Sequence, residues 1–227
     1  MPPPLAAGER RLLWDKPTRL LHWLIVGLVA FSWWSATHEH LPWHRLSGYT
    51  ILGLLLFRVI WGFVGARSAR FGSFLRGPVA AFDYVRGRGA ALVGHSPLGG
   101  WSIVAMLVVL FVQVGLGLFS VDEDGLQAGP LSRFLSPDPD VAYDRGRAIA
   151  HLHHLNFRLL LALIALHLAA VAFYAVRGRN LLGPMITGRA ALPAGAAEVR
   201  PVPAWRALAS ALLAAALAVF VARGLRF

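Results

Sequence analysis

Long apolar stretches separated by polar segments dominate the pattern of the chain. Five of them reach or approach the roughly 20 apolar residues that a membrane-spanning helix needs. They run over residues 20–36, 44–64, 101–119, 151–176 and 205–222. The pattern therefore predicts an all-α membrane protein with four main transmembrane helices and a fifth, Ala/Leu-rich helix at the C-terminus.

Composition supports the membrane prediction and removes several chemistries. Of 227 residues, 57% are hydrophobic, 15% are charged and none is cysteine. A soluble domain carries about 25% charged residues, so a disordered chain, a disulfide scaffold and an ordinary soluble enzyme are all excluded. A chain without cysteine has no thiolate metal site, iron–sulfur cluster or covalently attached c-type haem.

Charge along the chain indicates its orientation. Arginine and lysine gather in the N-terminal arm and in the second and fourth connections, whereas the third connection is acidic. The positive-inside bias therefore predicts a multi-pass protein of the bacterial inner membrane with a cytoplasmic N-terminus. Since topology accounts for the net charge of +11, we do not expect a nucleic-acid partner.

Histidines inside the predicted spans are the candidate chemistry, because ionisable groups in a bilayer are rare and mark functional sites by default. His22 lies near the cytoplasmic end of the first span, and His44 opens the second span near the outside. The fourth span carries His153 near its outer end and His167 14 residues later. In a helix this separation is about 21 Å and returns to within about 40° of the same face. By the same rule His154 points about 140° away from His167.

The four histidines fall at two depths, which pairs His22 with His167 on the inner side and His44 with His153 on the outer side. A haem iron accepts one imidazole on each side of its ring, and helix bundles supply such ligands from facing helices. The pattern therefore predicts two haem sites. The other five histidines lie in connections or near span ends, where we expect them in water: His38, His40, His95, His151 and His154.

Three further residues are candidates for binding a haem. Gly48 lies one turn deeper than His44 and leaves room either for a flat macrocycle or for close helix packing, which glycine also serves. Arg58 lies 14 residues after His44, on the same face at the inner depth, and is a candidate partner for a propionate. Arg19, one turn before His22, fits a propionate partner and a positive-inside charge equally well.

Segment 78–86, in the second connection, is compatible with a short interfacial helix and with a plain linker. The sequence pattern does not choose between these alternatives.

Several motifs in order resemble the prokaryotic cytochrome b561 / Ni,Fe-hydrogenase b-type cytochrome family. They are WDKPTRLLHW at 14–23, HRLSGY at 44–49, FRVIWGFVG at 57–65 with ARF at 69–71, LVGHSPLGGW at 92–101 and MITGR at 185–189. The two histidines of the fourth span, 14 residues apart, also match. The resemblance covers roughly residues 12–189.

The resemblance implies a four-helix transmembrane bundle that holds two b haems and passes electrons across the membrane. It supports His22, His44, His153 and His167 as axial ligands, with quinone or quinol as one redox partner and a hydrogenase or c-type cytochrome as the other. It divides the chain into an arm (1–19), the di-haem bundle (20–189), a linker (190–204) and an extra helix with its tail (205–227). The chain departs from the family at His154, where glutamate is common, and in its fifth span.

Two other functions use the same features. A haem-free metal-ion or proton carrier also needs histidines in the membrane, and a membrane anchor subunit needs only the spans. A carrier is disfavoured because no carboxylate lies in a predicted span core and no broken helix is evident. We therefore expect an electron-transfer subunit rather than a stand-alone catalyst.

Overall fold

A computed structural model describes residues 10–75, 77–86, 96–122, 129–192, 199–200 and 202–226. The α-helices of this part are α1 (Lys16–Thr37), α2 (Leu41–Val64), α3 (Phe71–Phe74), α4 (Pro78–Val85), α5 (Pro97–Phe119), α6 (Pro139–Val176), α7 (Leu182–Thr187) and α8 (Ala204–Ala222). Five of them, α1, α2, α5, α6 and α8, are long and apolar enough to cross a membrane. The prediction of an all-α membrane protein with five spans is therefore confirmed.

Helix α6 begins twelve residues before the predicted start of the fourth span, at Pro139 instead of residue 151. The carboxylate of Asp138 accepts hydrogen bonds from the backbone N–H groups of Asp140 and Val141, at 3.0 and 3.4 Å. Aspartate is a favoured N-cap and proline a favoured first helical residue. The acidic connection therefore ends in a well-capped helix start, which the hydropathy pattern missed because this first part of α6 is polar.

A short antiparallel ribbon joins two segments that the sequence analysis treated as an arm and a linker. Strand β1 (Arg10–Leu12) pairs with β2 (Arg189–Ala191), with Leu12 opposite Arg189. Next to the ribbon, Leu13, Trp14 and Leu192 form a small buried cluster. Residues 193–198 and 201 of the predicted linker lie outside the described residues, as does His95.

The chain divides into two compact units. The first contains Met1–Trp23, Arg58–Val104 and His167–Ser210, and the second contains Leu24–Phe57, Ala105–Leu166 and Ala211–Phe227. The main apolar core belongs to the second unit and is built from side chains of α2, α5, α6 and α8 and of the segment before α6. Its buried members are Ile51, Leu52, Leu55, Leu110, Val114, Leu118, Leu131, Leu160 and Ala218.

Helix α8, the fifth span, packs through small residues. Ala214 and Ala218 are buried one turn apart, and a Cβ added to Gly53 of α2 would lie 3.5 Å from Ala218 Cβ. Small residues at such contacts let helix backbones approach closely. The turn after α8 is tied to the same unit, because Arg133 donates a hydrogen bond to the carbonyl of Gly224.

The second connection contains a helix. Residues Pro78–Val85 form α4, which begins with proline in its first turn after Gly77. Of the two alternatives for this segment, the helix is therefore correct.

Candidate functional site

Burial separates the four candidate ligands from the other described histidines. His22 (α1), His44 (α2), His153 and His167 (both α6) are partly buried. The remaining histidines of the described part are all exposed: His38, His40, His151 and His154. His44 and His153 belong to the second unit, and His22 and His167 belong to the first.

The imidazole rings of His44 and His153 lie close together. Their ring centroids lie 6.1 Å apart and their planes are 88° apart. An imidazole nitrogen lies about 2 Å from a metal that it ligates, so two rings on opposite sides of one ion have centres roughly 6 Å apart. The two rings are therefore close enough for one metal ion to bind both of them.

Backbone carbonyls orient both rings of this pair. Nδ1–H of His44 donates to the carbonyl of Ser32 at 2.9 Å, and Ser32 Oγ lies 3.1 Å from the same nitrogen. Nδ1–H of His153 donates to the carbonyl of Gln113, also at 2.9 Å. A ligating histidine typically donates its second N–H in this way, which leaves Nε2 unprotonated for the metal.

The two rings line a cavity of about 760 Å³ within the second unit. Its walls are mainly apolar and come from α1, α2, α5, α6 and neighbouring connections. Cofactor pockets are commonly about 300–1,000 Å³ and mostly apolar. The space is therefore of a size and chemistry that suit a large flat apolar ring.

Two glycines keep this cavity open. Gly48 lines it, and a Cβ built there would meet no atom within 4 Å, so the residue does not serve a tight helix contact. A Cβ on Gly117 would come within 3.2 Å of His153 Cε1, which is tighter than an ordinary contact. Glycine at 117 therefore lets the ring of His153 lie against α5.

His154 also lines the cavity, but its placement differs from that of His153. Its side chain is exposed, and its ring centroid lies 6.1 Å from that of the partly buried His153. The geometry thus favours His153 as the partner of His44, in agreement with the helical phase.

His22 and His167 both belong to the first unit and are both partly buried. Nδ1 of His22 is buried and has no hydrogen-bond partner among the described residues. Thr18 Oγ1 and Arg19 Nε, within one turn of His22, are also buried and have no hydrogen-bond partner among the described residues. Buried polar atoms are nearly always hydrogen-bonded, so these two atoms next to His22 and the Nδ1 of His22 itself suit a polar group of a bound cofactor.

The two candidate arginines have partners within the protein. Arg19 donates through Nη1 to the carbonyl of Ile186. Arg58, only 7% exposed, donates through Nη1 to the carbonyl of Ala69 at 3.2 Å and lies over the ring of Phe71, 4.7 Å from its centroid. Arg58 therefore packs against the segment that follows α2. Arg19 has, in addition to its bond to Ile186, a buried Nε–H with no hydrogen-bond partner among the described residues.

Sequence reasoning missed the buried carboxylate of Asp15. Its Oδ2 accepts a hydrogen bond from Trp61 Nε1 at 2.8 Å, and its Oδ1 accepts one from the backbone N–H of Thr18 at 3.2 Å. Asp15 thus caps α1 and connects it to α2. It lies one turn before Thr18 and Arg19 and two turns before His22. An aspartate just before an apolar stretch was the available signal, because it is a typical N-cap.

An all-α membrane protein with two imidazoles close together on neighbouring helices has the arrangement from which helix bundles build cofactor sites. The sequence model of the prokaryotic cytochrome b561 family matches residues 13–188 of the chain, and the protein belongs to this family. Membership makes it a b-type haem protein of membrane electron transfer. No curated protein and no solved structure matches the chain significantly.

Proposed function

We propose that the chain holds two b haems and passes electrons across the membrane between the quinone/quinol pool and a protein redox partner. The axial ligand pairs are His44 with His153 and His22 with His167. The observation that carries the proposal is the pair His44–His153, whose ring centroids lie 6.1 Å apart at the wall of a large, mainly apolar cavity. A bound haem supplies reversible one-electron chemistry, and the protein sets its ligation, burial and access.

At the outer site the chain orients the two imidazoles and surrounds them with mainly apolar walls. Ser32 and Gln113 accept the Nδ1–H groups of His44 and His153, so both rings present Nε2. The mainly apolar walls favour binding of the haem macrocycle, while Gly48 leaves its face of α2 open.

At the inner site we assign the two ligands together with polar groups for a propionate. Arg19 Nε–H and the hydroxyl of Thr18 are buried donors one turn from His22. Arg58 remains a second candidate for the propionate, although binding there must compete with its bond to Ala69. A charge-assisted hydrogen bond from a guanidinium to a carboxylate is among the stronger polar contacts in proteins.

The partners and orientation are proposed on charge and family. Asp138, Asp140 and Asp144 are exposed at the start of α6, which the charge pattern places outside the bacterial inner membrane. Such a surface attracts a positively charged docking partner, such as a soluble c-type cytochrome. A hydrogenase is the alternative protein partner.

The test is a reduced-minus-oxidised visible spectrum of the full chain purified in detergent, with haem quantified against protein. We expect two low-spin b haems per chain. One haem would show that one pair is misassigned, and no haem from a haem-replete host would overturn the proposal in favour of a haem-free carrier or anchor.

A further inference from the structure

Gln113 of α5 contacts both ring nitrogens of His153. Its backbone carbonyl accepts the Nδ1–H bond at 2.9 Å, and its side-chain Nε2 lies 2.9 Å from Nε2 of His153. The residue is only 8% exposed and lines the same cavity as the two histidines. Nε2 of His153 is the nitrogen that would bind the haem iron in the proposed function.

The tautomer follows from the first of these bonds. Because Nδ1 carries the proton that it donates to the carbonyl of Gln113, Nε2 of the neutral ring has a lone pair and accepts. The carboxamide of Gln113 therefore donates an N–H to that lone pair. A metal binds through the same lone pair, so the carboxamide and an iron are alternative partners of His153.

Asn156 fixes the direction of the carboxamide. It lies on α6, one turn after His153, and its Nδ2 donates to Gln113 Oε1 at 2.8 Å and to the carbonyl of Val109 at 3.0 Å. With its oxygen bound to Asn156, the Gln113 amide presents its N–H groups to the imidazole. The three side chains thus form one hydrogen-bonded network between α5 and α6.

We propose that the carboxamide of Gln113, aimed by Asn156, competes with the haem iron for Nε2 of His153. This inference rests on the proposed function, in which His153 is an axial ligand. Burial of a polar group without a partner is costly, and the amide satisfies the imidazole whenever the iron does not. An iron that binds Nε2 of His153 would therefore replace the Gln113 amide as the partner of that nitrogen. The competition acts on the His153 side, because both contacts of His44 with Ser32 are made at Nδ1.

The main test measures transfer of haem from the detergent-solubilised full chain to excess apomyoglobin. In Gln113→Leu the competitor is gone, and we expect the outer haem to leave more slowly, on the order of fivefold, which is the worth of one net hydrogen bond. The inner haem serves as an internal reference whose rate should stay unchanged. An unchanged or faster loss of the outer haem would overturn the proposal.

A spectroscopic signature separates competition from a general packing effect. Dissociation of His153 leaves a five-coordinate iron, so we expect warming to produce a high-spin fraction in the parent protein and a smaller fraction in Gln113→Leu. Asn156→Ala, which releases the carboxamide from its aimed position, should shift the spin balance in the same direction by less. An equal high-spin fraction in all three proteins would contradict the proposal.

Two further variants serve as controls. Val112→Leu changes the neighbouring residue of α5, whose side chain is 45% exposed, and should leave both haems unaffected. If Gln113→Leu does not fold, Gln113→Ala removes the amide without introducing another group that binds iron. A parent protein without haem would overturn the proposed function, whereas two haems insensitive to Gln113 would overturn only this inference.

Discussion

At the scale of single residues, exposure and orientation distinguish a candidate ligand from a histidine in water. His153 and His154 are neighbours in sequence, yet His154 is exposed, whereas His153 is partly buried with its ring centroid 6.1 Å from that of His44. Helical periodicity predicts a difference between these neighbours. His153, 14 residues before His167, lies within about 40° of the same helix face, whereas His154, 13 residues before it, points about 140° away.

Substitution of these neighbours should therefore have unequal effects. We expect His153→Ala to lose the outer haem and keep the inner one, giving one haem per chain, whereas His154→Ala should keep both. The haem-to-protein ratio and the difference spectrum measure this directly. Loss of a haem in His154→Ala alone would reverse the assignment.

The carboxylate of Asp15 should matter for stability. Asp15→Ala removes the N-cap of α1 and the partner of Trp61, so we expect the free energy of unfolding to fall by about 1–3 kcal/mol. Asp15→Asn can keep one of the two bonds and should cost less. Thermal unfolding in detergent measures both variants, with the exposed Asp140→Asn as control. Equal stability of Asp15→Ala and the parent would show that the buried bonds contribute nothing.

The partners of the ligands were not predictable from sequence. Ser32 and Gln113 accept the Nδ1–H bonds of the two histidines through their backbone carbonyls. Every residue has a backbone carbonyl, so the residue type at these positions does not indicate the role. The bond from Trp61 to Asp15 joins residues 46 positions apart and depends on how two helices pack. Histidine depth, by contrast, follows from helix geometry alone.

At the scale of elements, hydropathy located all five membrane helices because each contains an apolar run of sufficient length. It missed the early start of α6, where polar residues continue the helix after Asp138. It also missed the β1–β2 ribbon, because three-residue strands are too short to show a period. The packing of α8 on Gly53 could not be predicted from hydropathy, because it depends on where both helices lie in the fold.

The contact of α8 with α2 gives a prediction for the fifth span. Ala218→Phe should force the helices apart at Gly53 and lower the free energy of unfolding by about 1–3 kcal/mol, the usual cost of overpacking. Leu217→Phe, one position away and 42% exposed, is the matched control and should be neutral. Melting temperatures in detergent compare the two, and equal temperatures would show that α8 is not packed through Ala218.

At the scale of the whole molecule, the chain contains no cysteine, so single cysteines can report its orientation without further changes. Asp140 and Lys16 are both exposed. With a cytoplasmic N-terminus, a membrane-impermeant thiol reagent added outside spheroplasts should label Asp140→Cys and leave Lys16→Cys unlabelled until the membrane is permeabilised. The opposite pattern would invert the proposed topology.

The exposed acidic residues of α6 predict how docking responds to salt. If Asp138, Asp140 and Asp144 attract a cationic c-type cytochrome, the rate of electron exchange with it should fall as ionic strength rises. Stopped-flow reduction of a basic cytochrome c measures this, and Asp140→Asn should weaken the salt dependence. A rate independent of salt would argue for another partner.

The use of backbone carbonyls to orient His44 and His153 has an evolutionary consequence. A side-chain acceptor disappears with one substitution, but the carbonyls of Ser32 and Gln113 remain whatever residue occupies those positions. The tautomer of each imidazole is therefore robust to point mutation at its partner. Substitutions at Ser32 and Gln113 therefore leave the two Nδ1–H bonds in place, provided that the paths of α1 and α5 are preserved.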